Sequence, residues 1–134
     1  MIIPATRYRD CEAALKFLKE VFGLSEHAVY RGEDTRIVHA QMVHGGGMMM
    51  FGPAQRGDFD AFMIDPAETG GRETTTIYVV TREIEALYAR VRESGARILL
   101  PLKAEDHGGK SFSAADSEGH VWTFGDYDPM EPDG

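Results

Sequence analysis

Apolar and polar positions alternate along this chain in two stretches that predict the same series of elements. The first begins with a strand-like segment, Ile2 to Tyr8, followed by apolar residues at helical spacing and then by three further strand-like segments. The series restarts at Thr75 and runs to Gly125. The pattern therefore predicts strand, helix, strand, strand, strand, and predicts it twice.

Each predicted helix has a start signal, an apolar face and a stop signal. Asp10 and Thr81 stand where N-caps are expected, and Gly23 and Gly95 stand where the helices should end. The apolar faces consist of Ala14, Leu15, Leu18, Val21 and Phe22 in the first helix, and of Ile84, Leu87, Tyr88 and Val91 in the second. Both faces have to be buried against another layer.

The remaining strands are separated by glycine, proline and polar turns. Pro101 is expected to end one strand, and 103–110 is expected to be a polar loop. The predicted strands are His27 to Arg31, Ile37 to Val43, Met48 to Phe51, Arg97 to Leu100, Ser111 to Ala115 and Val121 to Phe124.

The two series are related by a shift of 73 positions, which places Gly119 on Gly46 and Phe124 on Phe51. We expect one α+β domain over 1–134, with repeat one at about 1–53, a connector at 54–73, repeat two at 74–125 and a loose tail at 126–134. Two βαβββ repeats side by side predict a curved mixed sheet with helices on the convex face and a trough on the other.

The connector contains apolar residues that are unusual in a loop, namely Phe59, Phe62, Met63 and Ile64. One interpretation is that they cover part of the core. The other is that they form a lid or a contact between two copies of the chain.

Composition excludes several classes of partner. A net charge of −8 argues against nucleic acid and against anionic membrane surfaces. No apolar run is long enough to span a membrane, and the first residues lack the features of a signal peptide. Cys11 is the single cysteine, so no internal disulfide can form and a cytoplasmic location is expected. We expect its thiol to be packed.

The segment from Asp116 to Gly125 is similar to the D-P-E-G-[HN]-x-W-x-F-G ending found in one branch of a large superfamily. The residues Ile3-Pro4, Arg7 to Asp10 and Val21 to Leu24 resemble the opening of the same branch. The chain thus resembles the vicinal oxygen chelate superfamily, in its glyoxalase-like and bleomycin-resistance-like branch. The resemblance implies the βαβββ duplication and a homodimer, but no single reaction.

The resemblance also indicates where a metal would be bound. In the superfamily's metal enzymes two ligands come from each half, and by register those positions are Ile3, Met50, Thr76 and Thr123. Because divalent ions need imidazole or carboxylate ligands, we expect no metal at this site and no cofactor.

Strand alternation then predicts which side chains line the trough, while Trp122 and Phe124 point to the core. The predicted ligand-binding residues are Arg7, His39, Gln41, Met48, Met50, Thr76, Tyr78, Ser111, Ser113 and Thr123. Arg7 could instead form a structural ion pair, and His39 is a weak candidate for a general base. The other histidines are expected to be solvated or hydrogen-bonded at the surface.

Such a lining suits a small, partly aromatic or amphipathic molecule. The leading hypothesis is a metal-independent protein that binds a small organic ligand in the trough. The alternatives are a metal-dependent lyase or dioxygenase with non-standard ligands, a metal-free isomerase, and an interaction module without catalytic activity.

Overall fold

The computed structural model describes residues 1–54, 57–106 and 108–131. The chain has an α+β fold in which two βαβββ units follow one another. The elements are β1 (Ala5–Tyr8), α1 (Cys11–Glu20), β2 (Ser25–Arg31), β3 (Ile37–His44), β4 (Gly47–Pro53), β5 (Ile77–Val80), α2 (Ile84–Glu93), β6 (Ile98–Ala104), β7 (Lys110–Ala115) and β8 (Val121–Gly125). Short 3-10 turns at Asp58–Ala61 and Pro66–Glu68 lie in the connector. Among the described residues, no helix is long and apolar enough to cross a membrane.

The strands form two four-stranded sheets, in the orders β1-β4-β3-β2 and β5-β8-β7-β6. We refer to them as the first and the second sheet. In each, the first strand pairs in parallel with the last strand of its repeat, and the other pairs are antiparallel. The register confirms the shift of 73, because Ala5 pairs with Met50 and Tyr78 pairs with Thr123. The single curved sheet of the prediction is thus resolved into two sheets, since β1 and β5 are both edge strands.

The first helix begins as predicted and the second does not. The Asp10 carboxylate accepts a hydrogen bond of 3.0 Å from the Ala13 N–H, which confirms Asp10 as the N-cap of α1. The prediction of Thr81 as the cap of α2 is wrong, because the cap position is Glu83. The Thr81 hydroxyl instead accepts from the Glu83 N–H at 3.2 Å, which forms a turn before the helix.

One cluster of buried side chains joins the two repeats. Trp122 is 1% exposed and Phe124 is fully buried, so their predicted core position is confirmed. The Phe22 ring, just after α1, lies 5.3 Å from the Trp122 ring and 4.8 Å from the Phe124 ring between centroids. Cys11 is buried in the same cluster, which confirms the packed thiol. The end of the first helix therefore packs on the last strand of the second repeat.

Strand β6 differs from its prediction. It runs through Pro101 to Ala104, so the strand does not end at the proline and the loop starts two residues later than expected. Proline is tolerated here because β6 is an edge strand, where an N–H can be absent without breaking a ladder. The register also shifts by one residue, since Leu100 pairs with Ser113 but Lys103 pairs with Ser111.

The connector and the tail also correct the sequence analysis. Phe59, Phe62 and Ile64 are 65%, 78% and 62% exposed, so they do not cover the core. The tail is not loose as far as Glu131, whose carboxylate pairs with the Arg82 guanidinium. Residue 107 and residues 132–134 lie outside the described part of the chain, so the surface position predicted for His107 has no counterpart here.

Candidate ligand-binding site

The second sheet presents a row of side chains on one face, one from each strand. Tyr78 on β5 pairs with Thr123 on β8, Thr123 pairs with Ser113 on β7, and Ser113 pairs with Leu100 on β6. Residues directly opposite in register share a face of the sheet. They line a cavity of about 380 Å³ together with Ser111, Lys103, Glu105, Gly108, Lys110 and Tyr127. Four predicted ligand-binding residues are thereby brought together: Tyr78, Ser111, Ser113 and Thr123.

The floor of this cavity consists of hydroxyl groups. The Ser113 and Thr123 hydroxyls are 2.6 Å apart, and the Ser111 hydroxyl donates to the Glu105 carboxylate at 2.6 Å. Ser113 is buried, and all three hydroxyl-bearing residues line the cavity. The floor is therefore polar, as strand alternation predicted.

The tail forms one wall of the cavity, through Tyr127. The Tyr78 hydroxyl donates to the Tyr127 carbonyl at 2.7 Å, and the Lys110 N–H donates to the Asp126 carboxylate at 2.6 Å. Burial, followed by the negative charge of Asp126, raises the pKa of the Tyr78 phenol. Tyr78 thus remains a neutral hydrogen-bond donor near neutral pH.

The first sheet groups another set of predicted residues. Met50 pairs with Gln41 across the β3 and β4 strands, and the Gln41 amide nitrogen lies 3.2 Å from His39 Nε2. The His39 ring also packs at 5.9 Å on the ring of Tyr30, its register partner on β2. His39 is consequently held by two contacts within its own sheet, with the Gln41 amide and with the Tyr30 ring.

Arg7 and Thr76, which were predicted to line the trough, do not line the cavity of the second sheet. The Arg7 guanidinium forms an ion pair with Asp60 of the connector and donates to the Pro53 carbonyl at 3.3 Å. Of the two interpretations left open for Arg7, the structure shows the ion pair. Thr76 is exposed and precedes β5. Met48 lines a separate, larger and mainly apolar groove of about 830 Å³, which Tyr78 also borders.

The positions that correspond to metal ligands carry no imidazole or carboxylate. They are Ile3, Met50, Thr76 and Thr123. Within residues 1–54, 57–106 and 108–131, no group of three or more His, Cys, Asp and Glu side chains could hold a metal ion. Any metal chemistry at these positions would need ligands from outside this set.

The two repeats are connected at a joint formed by alternate residues of the turn before β8, a contact that the sequence pattern did not predict. The Asp116 carboxylate accepts from the Tyr8 hydroxyl at 2.5 Å and from Trp122 Nε1 at 3.0 Å. The Glu118 carboxylate accepts from the backbone N–H groups of Arg9 and Asp10, each at 2.8 Å. The acidic spacing was a usable signal, but the partners Tyr8, Arg9 and Asp10 are more than 100 residues away in the chain.

His120 completes this joint rather than lying at the surface as expected. Its Nδ1 is 3.0 Å from the Glu73 carboxylate, and its Nε2 is 3.2 Å from the Thr6 hydroxyl. This order of hydroxyl, imidazole and carboxylate suggests nucleophilic catalysis. However, Nε2 also lies 3.1 Å from the Arg7 carbonyl, which can only accept. Nε2 must then donate a proton, so it cannot serve as a base for Thr6.

Comparison with known proteins agrees with this fold. Among curated proteins, the chain is 24% identical over 116 residues to an uncharacterised protein of Mycobacterium bovis, Mb0911c, covering 87% of this chain and 76% of that protein. Among solved structures, TioX from Micromonospora sp. ML1 has a TM-score of 0.75 at 24% identity, covering 98% of this chain and 99% of TioX. The fosfomycin resistance protein FosX of Listeria monocytogenes has a TM-score of 0.63 at 14% identity, covering 93% and 90%.

At such identities the structural matches establish the fold alone. The family is established by a sequence model that matches residues 4–124, which is nearly the whole chain. The chain belongs to the Glyoxalase/Bleomycin resistance protein/Dioxygenase superfamily.

Proposed function

We propose that this protein binds a small organic molecule on the exposed sheet faces and does so without a divalent metal. The observation that carries the proposal is the cavity of about 380 Å³ on the second sheet. Its volume lies within the range of small-molecule sites, and its lining combines aromatic and aliphatic walls with a hydroxyl floor. A role of the resistance type, in which a toxic compound is held and sequestered, fits a cavity of this volume and mixed lining.

The metal-free part of the proposal rests on donor chemistry. Ile3 has no lone pair to offer, Met50 offers a soft thioether, and two threonine hydroxyls are weak ligands for borderline ions. In addition, the Thr123 hydroxyl is already hydrogen-bonded to Ser113. These side chains are not better ligands for Ni²⁺, Zn²⁺, Mn²⁺ or Fe²⁺ than the water molecules that surround the free ion.

Metal analysis of protein purified without added metal tests this proposal, together with thermal-shift titrations against the same four ions. We expect substoichiometric metal and a change in Tm below about 1 °C at micromolar metal, because a ligand that does not bind the native state cannot stabilise it. Stoichiometric metal, or a clear saturable stabilisation, would contradict the proposal and favour a metal-dependent lyase or dioxygenase.

We further propose that the protein acts as a homodimer in a reducing, cytoplasmic setting. Phe59, Phe62 and Ile64 expose large apolar side chains, which are typical of surfaces that contact another chain. A symmetric pair is the usual assembly for a single type of chain. Sedimentation velocity over a range of concentrations would test the dimer, and a monomer throughout would contradict it. The buried single thiol of Cys11 needs no oxidising compartment.

A further inference from the structure

The bulge in β6 brings a cation to the cavity of the second sheet. In a regular strand Leu100 and Leu102 would share a face, and Lys103 would point to the opposite one. The bulge inserts one residue between the pairs Leu100–Ser113 and Lys103–Ser111, so both Leu100 and Lys103 line the cavity. Leu102 packs against the core instead. Bulges of this kind re-aim a side chain, often next to a binding site.

Lys103 is the charged side chain lining this cavity that has no partner in the described part of the chain. Its ammonium has no hydrogen bond or ion pair there, whereas the neighbouring Lys110 pairs with the Glu85 carboxylate at 2.7 Å. The carboxylates around the cavity each have a donor: Glu105 accepts from Ser111, and Asp126 accepts from the Lys110 N–H. Glu105 keeps its negative charge, but its carboxylate is engaged by the Ser111 hydroxyl, so the charged group left free to contact a ligand is the Lys103 ammonium.

The floor also has a hydroxyl donor that finds no acceptor among the described residues. The hydroxyls of Ser113 and Thr123 hold two protons between them, and their mutual hydrogen bond uses one. Within the described residues no other acceptor contacts either group, so one O–H is left to donate into the cavity. A ligand that places an oxygen acceptor over this pair would satisfy it.

The walls are suited to a flat ring. Tyr78, Leu100 and Tyr127 are 42%, 54% and 37% exposed, although all three are large apolar side chains around one cavity. A ligand that covers this apolar area removes it from water, which favours binding. Because the Tyr78 phenol is neutral, it does not repel an anion.

We infer that this cavity recognises a small aromatic acid, whose ring packs on Tyr78, Leu100 and Tyr127 and whose anionic group is bound by Lys103. This inference rests on the proposed function and specifies its ligand class.

Three probes of one shape and different charge test the inference: 2-naphthoate, 2-naphthamide and 2-naphthylmethylammonium. Their affinities would be measured by isothermal titration calorimetry at pH 7.5 and low salt with the full chain. The wild type should bind 2-naphthoate about tenfold more tightly than the amide, because its carboxylate makes a charge-assisted contact, and should bind the cation most weakly. The preference for the acid should decrease with added salt.

Lys103→Gln should reduce the preference for the acid to about twofold or less while leaving affinity for the amide unchanged. Lys16→Gln is the matched control, because Lys16 is an exposed lysine on α1 that also has no partner in the described chain. It should retain the full preference. Both substitutions are at exposed positions and should leave the fold intact.

The outcomes separate the inference from the proposed function. Equal affinity for acid and amide, a preference for the cation, or a preference for the acid that survives Lys103→Gln would overturn the inference and leave a binding function standing. No binding of any of the three probes would overturn the inference, and it would also count against a ligand site on this sheet face.

Discussion

The Asp116 carboxylate accepts four hydrogen bonds in the joint. Asp116→Asn is therefore the sharpest test of how the two repeats are held together. Besides the Tyr8 hydroxyl and Trp122 Nε1, its second oxygen accepts the backbone N–H groups of Glu118 and His120, each at 3.0 Å. Asp116, Tyr8 and Trp122 are all buried. An asparagine keeps the shape of this group but has one acceptor oxygen in place of two.

The cost can be estimated from the donors. In the best orientation, the asparagine oxygen faces the two backbone N–H groups and its amide donates to the Tyr8 oxygen. The indole N–H of Trp122 then meets another donor and is left unsatisfied, which costs about 1–3 kcal/mol. The remaining hydrogen bonds lose charge assistance, while the relief of a buried charge offsets part of that loss. We expect a loss of about 3 kcal/mol in the free energy of unfolding, or roughly 10 °C in Tm.

Urea unfolding followed by circular dichroism would measure this change. Asp58→Asn is the control, because Asp58 is exposed and has no partner in the described chain, and it should stay within about 0.5 kcal/mol of wild type. A double-mutant cycle with Trp122→Phe isolates the unsatisfied donor: removing the indole N–H should cost less in the Asp116→Asn background than in the wild type. A change below about 0.5 kcal/mol for Asp116→Asn would refute the reasoning.

Two further predictions concern the tyrosines. Burial, followed by the charge of Asp116, raises the pKa of Tyr8 well above its ordinary value, so the unfolded chain loses this proton first and stability should fall as pH rises above about 10. Tyr8→Phe should remove about 1.4 kcal/mol per pH unit from that decline, measured by urea unfolding, and an unchanged slope would contradict the assignment. At Gly125 a methyl group would overlap the Tyr78 hydroxyl and lie 3.0 Å from Tyr78 Cζ. Because that ring is partly exposed and can move, Gly125→Ala should cost only about 1 kcal/mol in stability but weaken 2-naphthoate binding severalfold, and unchanged binding would argue against Tyr78 as a wall of the site.

The sequence predicted the parts of the fold that depend on local pattern. The two helices, Cys11–Glu20 and Ile84–Glu93, differ by 73 positions at both ends, as the internal repeat required. The alternation in β8 identified Trp122 and Phe124 as core residues because one face of the strand is buried and a register shift of one would invert it.

What the sequence did not predict depends on contacts that are distant along the chain. The bulge at Pro101 results from pairing with β7, and reading β6 by regular alternation gives no indication that Lys103 reaches the cavity. Thr81 has the chemistry of a cap, but the helix starts three residues later. The connector carries three apolar side chains to the surface, although hydrophobicity alone favoured a place on the core.

The turns before β4 and β8 occupy matching positions in the two repeats but differ in side chains and in contacts. The shift of 73 places Asp116, Glu118 and His120 on Val43, Gly45 and Gly47 of the first repeat. The three polar residues bind β1 and the start of α1, whereas an added Cβ at Gly45 would meet nothing within 4 Å. The groove of about 830 Å³ lies beside this glycine turn and the start of α2. The polar contacts of the turn before β8 hold the two repeats together. The matching glycine turn of the first repeat makes no such contacts through its side chains, and the groove beside it is open.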